Sequence, residues 1–314
     1  MKAVMVFAAT AWAAWAQPSG EIHVLPVQGN VYMLVGDGGN ITVQIGKQGV
    51  LLVDTGVAQM SDQLVAQIRK MTNEPIRYII NTHAHADHTG GNEKIGKAGV
   101  TITGGNVAGN ISDASQGAAI VAFQKVLDRM SAKPAAGEAA IPFGDLPTDT
   151  YIEPEKPMYF NGEGIQIIHQ PAAHTDGDSI VFFRKSDVVA TGDLFTPGNY
   201  PVIDLQRGGS LQGIIDALNK LIEITIPADK QEGGTYVIPG HGRLCDQADV
   251  VEYRDMATII RDRIADMIKK GMTLEQVKAA KPTRDYDPEY GTTSGFWTTD
   301  MFVEAAYKSL SGKK

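Results

Sequence analysis

Short apolar runs, separated by clusters of glycine, asparagine and aspartate, recur along the first three quarters of the chain. Runs of four to six residues bounded by such turn residues are typical of β-strands. Residues 36–40, Gly-Asp-Gly-Gly-Asn, separate two of these runs and predict a hairpin turn. The runs predicted as strands are 31–35, 41–45, 50–53, 76–80, 100–103, 165–168, 180–183, 188–190 and 236–238.

A second pattern, with apolar residues three or four positions apart, predicts helices. It covers residues 63–71 and 211–223, and it recurs in the long segment 250–270. Thr273 and Gln276 form a capping-box signature for a helix that Pro282 stops, and residues 300–310 predict a last helix. The same spacing places Ile120, Phe123, Leu127 and Met130 on one face of a further predicted helix.

The order of these elements predicts an α/β (α+β) protein. Each half carries strands followed by helices, which favours two mixed halves packed face to face as a four-layer αββα sandwich. We expect residues 17–248 to form this sandwich and residues 249–314 to form a C-terminal helical extension packed on the same domain. The extension could also dimerise or cover a site, so the oligomeric state stays open.

The first sixteen residues have the pattern of a secretory signal. Lys2 is followed by an apolar run to Trp15, and Ala14-Trp-Ala16 fits a small-x-small cleavage site. The run is too short for a membrane span, and no later stretch is long and apolar enough to be one. We therefore expect cleavage after Ala16 and a secreted or periplasmic protein.

The composition of the chain excludes several classes of partner and of site. The net charge of −8 argues against a nucleic-acid partner, which needs a basic surface. A single cysteine, Cys245, excludes an internal disulfide and any thiolate cluster. The substrate is therefore expected to be a small molecule.

Residues 83–88 read His-Ala-His-Ala-Asp-His and follow the predicted strand 76–80. Neutral imidazoles and carboxylates suit zinc and neighbouring first-row metals. If the extended backbone continues, His83 and His85 point the same way and can chelate one ion. Asp87 and His88 lie past a bend and can face a second ion.

Four further candidates occur where predicted strands give way to loops, which is where binding residues concentrate. His174 lies in a turn rich in glycine and aspartate, Asp193 follows the strand 188–190, and His241 follows the strand 236–238. Asp54 follows the strand 50–53. It either orients a metal ligand from behind or closes a turn, and the two roles are compatible.

These segments, in this order, resemble the metallo-β-lactamase superfamily of metallohydrolases. The resemblance spans about residues 22–245, and each metal ligand of the family pattern has a counterpart here. It implies the αββα fold of that family and two bound Zn²⁺, with iron or manganese as alternatives. The implied ligands of the first ion are His83, His85 and His174. Those of the second ion are Asp87, His88 and His241, and Asp193 bridges the two.

A carboxylate-bridged metal pair, typically about 3.5–4 Å apart, holds a hydroxide that is nucleophilic near pH 7. We expect this hydroxide to attack the acyl carbon of an ester, lactone or related compound. Asp87 is the predicted catalytic residue, because it either orients the hydroxide or passes a proton. Its other interpretation is that it serves only as a ligand.

Two alternative functions remain at this stage. True β-lactamases of the resembled superfamily often carry cysteine or serine at the position of Asp193, so Asp193 disfavours β-lactam hydrolysis although export favours it. No lysine follows Asp193 to bind a lactam carboxylate. The other alternative is an iron-dependent oxidoreductase similar to persulfide dioxygenases. Phe143, Phe195 and Tyr200 are the candidate pocket residues, with core packing as the competing interpretation for Phe195 and a solvent loop for Phe143.

Overall fold

The computed structural model of the chain describes residues 21–101, 117–134 and 139–312. The predicted signal segment, its cleavage point after Ala16 and residues 102–103 of the predicted strand 100–103 lie outside the described residues. The strands are β1 (His23–Gln28), β2 (Val31–Val35), β3 (Ile41–Gly46), β4 (Gly49–Val53), β5 (Ile76–Ile80), β6 (Ala119–Phe123), β7 (Asp149–Tyr151), β8 (Glu155–Phe160), β9 (Glu163–Gln170), β10 (Asp178–Phe183), β11 (Val188–Ala190) and β12 (Tyr236–Ile238). The helices are α1 (Ser61–Met71), α2 (Ala86–Thr89), α3 (Asn92–Lys97), α4 (Gln124–Met130), α5 (Leu211–Ile224), α6 (Gln247–Lys269), α7 (Leu274–Ala280), α8 (Asp287–Tyr290) and α9 (Thr299–Ser311).

The strands form two mixed sheets. The first runs in the order β1-β2-β3-β4-β5-β6-β7, antiparallel up to β4 and parallel from β4 to β7. The second runs β12-β11-β10-β9-β8, and only its β11–β12 pair is parallel. Helices cover the outer face of each sheet, which confirms the predicted four-layer αββα sandwich.

The central strand β4 shows how the sequence produces these layers. Successive side chains of a strand point to opposite faces. Leu51 and Val53 therefore enter the core between the two sheets, while Val50 and Leu52 pack with the residues of α1 and α3 on the other side. All five residues of β4 are buried, because both faces of this strand are covered.

The outer face of the second sheet packs against α5, α6, α7 and α9 in one apolar cluster. Helix α6 begins with a capping box, in which Asp246 accepts from the backbone of Asp249 and Asp249 accepts from that of Asp246. Ile260 of α6 and Phe302 of α9 are fully buried in this cluster. Residues 249–312 thus contribute to the core of the sandwich. Within the described residues, no helix combines the length and the hydropathy needed to span a membrane.

The predicted helix around residues 120–130 was wrong in its first half. Ile120 and Phe123 belong to strand β6, and the helix α4 begins only at Gln124. A short apolar run fits both periodicities, and here parallel pairing with β5 and β7 favours the strand. Strands β1, β7 and β8 were not predicted, because as edge strands of the two sheets they carry fewer buried apolar residues.

Candidate metal centre

The candidate ligands lie on loops that follow the carboxyl ends of neighbouring strands. Asp54 follows β4, and the segment 83–88 follows β5, its parallel neighbour. Asp193 and His241 follow β11 and β12, which are also parallel neighbours. Because parallel strands end at the same edge of a sheet, each pair of loops is brought together. His174 joins them from the turn between β9 and β10.

Three histidines and one carboxylate form the first group, within which the candidate ligand atoms all lie within 4.8 Å of one another. His85 Nδ1 is 3.2 Å from His83 Nε2 and 3.0 Å from His174 Nε2. The fourth member, Asp193, places its Oδ2 4.0 Å from His83 Nε2 and 3.8 Å from His174 Nε2. These four residues offer three nitrogens and one oxygen, a donor set that suits zinc.

Asp87, His88 and His241 form the second group, with the same 4.8 Å limit. His241 Nε2 is 3.4 Å from His88 Nε2 and 3.2 Å from Asp87 Oδ2. The structure thus separates the six-residue cluster into the two sets expected from the sequence, with His83 and His85 in one and Asp87 and His88 in the other.

Asp193 lies between the two groups. Its Oδ2 faces the first group, whereas its Oδ1 is 3.2 Å from His88 Nε2 and 3.6 Å from His241 Nε2. Oδ1 is buried and accepts no hydrogen bond among the described residues. A buried carboxylate oxygen without a donor is costly unless a cation satisfies it. This unsatisfied oxygen and the surrounding nitrogens therefore fit a pair of metal ions sharing Asp193.

In four of the five candidate histidines, the ring nitrogen that faces away from the other ligands has a polar partner. His83 Nδ1 lies 3.0 Å from Thr82 Oγ1, and His174 Nδ1 lies 2.7 Å from the carbonyl oxygen of Val202. Such outer contacts select the tautomer and orient a metal-binding ring. The remaining two are His88 Nδ1, 2.8 Å from Asp54 Oδ2, and His85 Nε2, 2.9 Å from Asp204 Oδ2.

The structure places Asp54 behind His88. The Asp54 backbone has a φ of 65°, a left-handed conformation that aspartate tolerates better than most residues. Its Oδ1 accepts from the backbone N–H of Thr82 at 2.8 Å, and its Oδ2 accepts from Thr82 Oγ1 at 2.7 Å in addition to contacting His88. Asp54 thus ties the loop after β4 to the ligand loop after β5.

Asp204 was missed by the sequence analysis. Besides His85, its carboxylate accepts from the side chain of Arg207 at 2.8 Å, and its backbone N–H donates to the carbonyl oxygen of His174. Asp204 therefore contacts two members of the first group. No motif surrounds it in the sequence, since Ile203-Asp-Leu205 has no distinctive pattern, so no sequence signal could have found it.

The electrostatic environment of both ligand groups favours the binding of cations. Burial lowers the pKa of His174 to about 4 and holds the pKa of His83 well below its usual value, so both rings keep a free lone pair at neutral pH. For His88, burial opposes protonation, but the carboxylates of Asp193 and Asp54 outweigh it and raise the pKa well above the usual value. Two carboxylates therefore attract positive charge to the position of His88.

The site is open to solvent at three of its candidate ligands. His241, Asp87 and His85 are 35%, 27% and 22% exposed, whereas His83, His88 and His174 are buried. A substrate can therefore approach the ligands over the exposed edges of the first three residues.

The three candidate pocket residues do not line this opening as a set. Phe195 and Tyr200 lie in the core instead: they are 1% and 2% exposed, Phe195 packs edge-on against Tyr253, and Tyr200 stacks on Phe302. Their apolar character serves core packing and leaves almost no surface for a substrate. Phe143 is 90% exposed at the start of a short 3₁₀ turn, Phe143–Asp145, that contacts helix α3.

Sequence comparison places the chain among known proteins. The family model described as the metallo-beta-lactamase superfamily matches residues 25–241. A linear primary-alkylsulfatase from Pseudomonas sp. (strain ATCC 19151) is 25% identical over 281 residues, which is 78% of this chain and 52% of that protein. The chain thus spans about half the length of this curated relative.

Solved structures share the fold at low sequence identity. A metallo-beta-lactamase from Pontibacter korlensis superposes with a TM-score of 0.55 at 16% identity, covering 76% of this chain and 99% of its own. The sec-alkylsulfatase Pisa1 from Pseudomonas sp. superposes with a TM-score of 0.64 at 15% identity, and the match covers 93% of this chain and 51% of that protein. These likenesses support the fold.

Proposed function

The chain belongs to the metallo-beta-lactamase superfamily, and we propose that it is a hydrolase that holds two zinc ions and cleaves an acyl ester or lactone. The observation that carries the two-ion proposal is the position of Asp193. Its two oxygens face different ligand groups, and the buried Oδ1 has no hydrogen-bond donor. Two ions, one beside each oxygen, would satisfy the whole carboxylate.

His83, His85 and His174 would hold the first ion, Asp87, His88 and His241 the second, and Asp193 both. When bound, the ions supply Lewis-acid activation of water and polarisation of the scissile bond. Burial keeps the imidazoles of His83 and His174 neutral, and outer contacts keep the rings in place.

Asp87 is the candidate catalytic residue. Burial alone would raise its pKa, but the hydrogen bond with His241 and the charge of His88 lower it, so the carboxylate stays ionised. It is 27% exposed and faces the side from which a substrate can approach. An ionised carboxylate there can orient the attacking water and accept its proton.

The charge around the opening favours a neutral acyl substrate. Arg207 Nη1 lies 3.5 Å from His85 Nε2, but it is paired with Asp204 at 2.8 Å. Arg243, two residues beyond His241, is paired with Asp249 at 2.6 Å. Each guanidinium group is thus engaged by a carboxylate, which weakens the attraction that it offers to a sulfate or to a lactam carboxylate.

A sulfate ester is the second candidate substrate. The observation that favours it is the extent of the alkylsulfatase matches: alignment over 93% of the chain must include most of residues 249–314. The beta-lactamase match covers 76%. Most of the segment 249–314 is therefore part of what this chain shares with the alkylsulfatase fold.

Metal analysis joined to a substrate panel tests the proposal. We expect about two zinc ions per chain and turnover of p-nitrophenyl acyl esters or lactones, with kcat/KM at least about 100-fold above that for dodecyl sulfate and nitrocefin. Preferred turnover of dodecyl sulfate supports the second candidate, and preferred turnover of nitrocefin supports a β-lactamase. Iron in protein purified without added metal, with no hydrolysis after zinc loading, contradicts the hydrolytic proposal.

We also propose that the protein is exported, on the strength of the charged start, the apolar run and the cleavage pattern of residues 1–16. The mass of the protein recovered from an expressing Gram-negative host tests this. A mature chain that begins at Gln17 is expected in the periplasm, and a full-length chain retained in the cytoplasm contradicts the proposal.

A further inference from the structure

The hairpin tip, defined here as residues 36–40 between β2 and β3, lies against the second ligand group. The backbone N–H of Gly39 donates to the carbonyl oxygen of Asp87 at 3.1 Å. Gly39 also packs on the ring of His88 so closely that an added Cβ would come within 2.6 Å of the ring. Two of the three ligands in the group are therefore in contact with this one glycine.

Asn40 reaches the third ligand through its loop. Its backbone N–H donates to the carbonyl oxygen of Gly240 at 2.7 Å, and its side-chain Nδ2 donates to those of Pro239 at 2.9 Å and Gly242 at 3.0 Å. These three carbonyls flank His241 on both sides. Asn40 is 7% exposed, so little water competes for these bonds.

The contact between Asn40 and the loop of His241 joins two parts of the fold, each of which carries some of the ligands of the second group. Asp87 and His88 follow β5 of the first sheet, whereas His241 follows β12, the edge strand of the second sheet. Asn40 belongs to the first-sheet side of this contact, because it lies immediately before β3. An amide with two donors is the side chain that can bind two carbonyls of the facing loop at once.

We propose that Asn40 is a positioning residue for the second metal ion, which it serves by fixing the loop of His241 against Asp87 and His88. The inference rests on the proposed two-ion function. The first group is held by other residues, since Asp204 contacts His85 and Val202 contacts His174. Loss of Asn40 is therefore expected to weaken one metal site and spare the other.

Asn40→Asp is the sharpest test, because it keeps the shape of the side chain and replaces the Nδ2 donor with an oxygen that repels both carbonyls. Asn30→Asp is the matched control: Asn30 Nδ2 also donates to a backbone carbonyl, that of Ile45 at 2.8 Å, in the turn after β1. Zinc affinity of each site is measured by competition with a chromophoric chelator, and the absorption spectrum of the Co²⁺-loaded protein reports the geometry of each site.

We expect Asn40→Asp to lower the affinity for the second zinc ion by about 10- to 100-fold, with the first site and the unfolding temperature close to those of Asn30→Asp. Retention of both ions at wild-type affinity overturns the inference. Equal weakening of both sites together with a lower unfolding temperature also overturns it, because that result indicates a general structural role. A wild-type protein that binds one ion overturns the two-ion proposal and the inference with it.

Gly39→Ala provides an independent variant should Asn40→Asp fail to fold. The added Cβ would come within 2.6 Å of the His88 ring, and the Asn40 side chain itself is not substituted. Weakening of the second site alone supports the role of the hairpin tip, whereas an unchanged second site contradicts it.

Discussion

Oδ1 of Asp193 lies 3.2 Å from Nε2 of His88, although the two residues come from different sheets of the sandwich. The opposite oxygen of the same carboxylate faces His174 at 3.8 Å. The metal centre is therefore built across the interface of the two sheets. The proposed binding of two ions there would depend on the packing of the whole sandwich as well as on the ligands.

Asp193→Asn is expected to weaken both metal sites at once, because the amide has similar shape but no charge and only one acceptor oxygen. We expect metal content below one ion per chain after dialysis and a fall in kcat/KM of at least about 100-fold. Asp187→Asn is the control, since Asp187 lies in the turn between β10 and β11 and bonds Gln231 and Thr235, away from the ligands. Two ions retained by Asp193→Asn would contradict the bridging role.

Asp87→Ala is expected to remove the second ion and to leave the first. Turnover should fall by about 10²- to 10⁴-fold, because the variant loses both a ligand and the candidate proton acceptor. Metal analysis and kcat are measured on the same preparation. Near-normal turnover with two ions bound would show that Asp87 is neither an essential ligand nor a catalytic residue.

Asp204→Asn is expected to weaken the first site by about 10- to 100-fold, because the ring of His85 loses its carboxylate partner. Asp176→Asn is a matched control: Asp176 is also bound by an arginine, Arg129 at 2.7 Å, but its carboxylate contacts no candidate ligand. Chelator competition should separate the two variants. Equal zinc affinities of the first site in the two variants would show that Asp204 serves only the contact with Arg207.

Asp54→Ala is expected to lower the free energy of unfolding by about 2 kcal/mol or more, since it leaves buried donors on Thr82 and His88 unpaired. Alanine also tolerates the φ of 65° poorly. Asp54→Asn should lose less, because asparagine accepts this conformation and keeps one acceptor. Chemical denaturation of the two variants measures the difference, and equal losses would contradict this account.

Removal of metal should lower the thermal stability of the protein. The buried carboxylates and imidazoles of the centre are satisfied by cations in the folded state only, so zinc at 100 times its dissociation constant should add about 2.7 kcal/mol. Calorimetric scans with a chelator, and again after zinc is restored, measure the shift. Identical unfolding temperatures in both conditions would show that zinc does not bind preferentially to the folded chain.

The sequence by itself predicted the layered fold and the residues that meet in the metal centre. Both predictions depend on local patterns: short continuous apolar runs such as 50–53 predict buried strands, and polar residues that follow such runs lie at strand ends. His83, His85, Asp87 and His88 are close in the chain, so their division between two ions could be inferred from backbone geometry. Their positions at strand ends pointed to His174, Asp193 and His241, and the resemblance in motif order implied which ion each would bind.

Only the tertiary structure decided which residues support these ligands. Asn40 and His241 lie 201 positions apart, and Asp204 contacts His85 across 119 positions. Such contacts arise from the packing of one sheet on the other and leave no periodic trace in the chain. The same long-range packing buries Phe195 and Tyr200 in the core and places Ile120 in a strand that pairs with parallel neighbours. Local periodicity records which face of an element is buried, whereas the partner that it meets is determined by long-range packing.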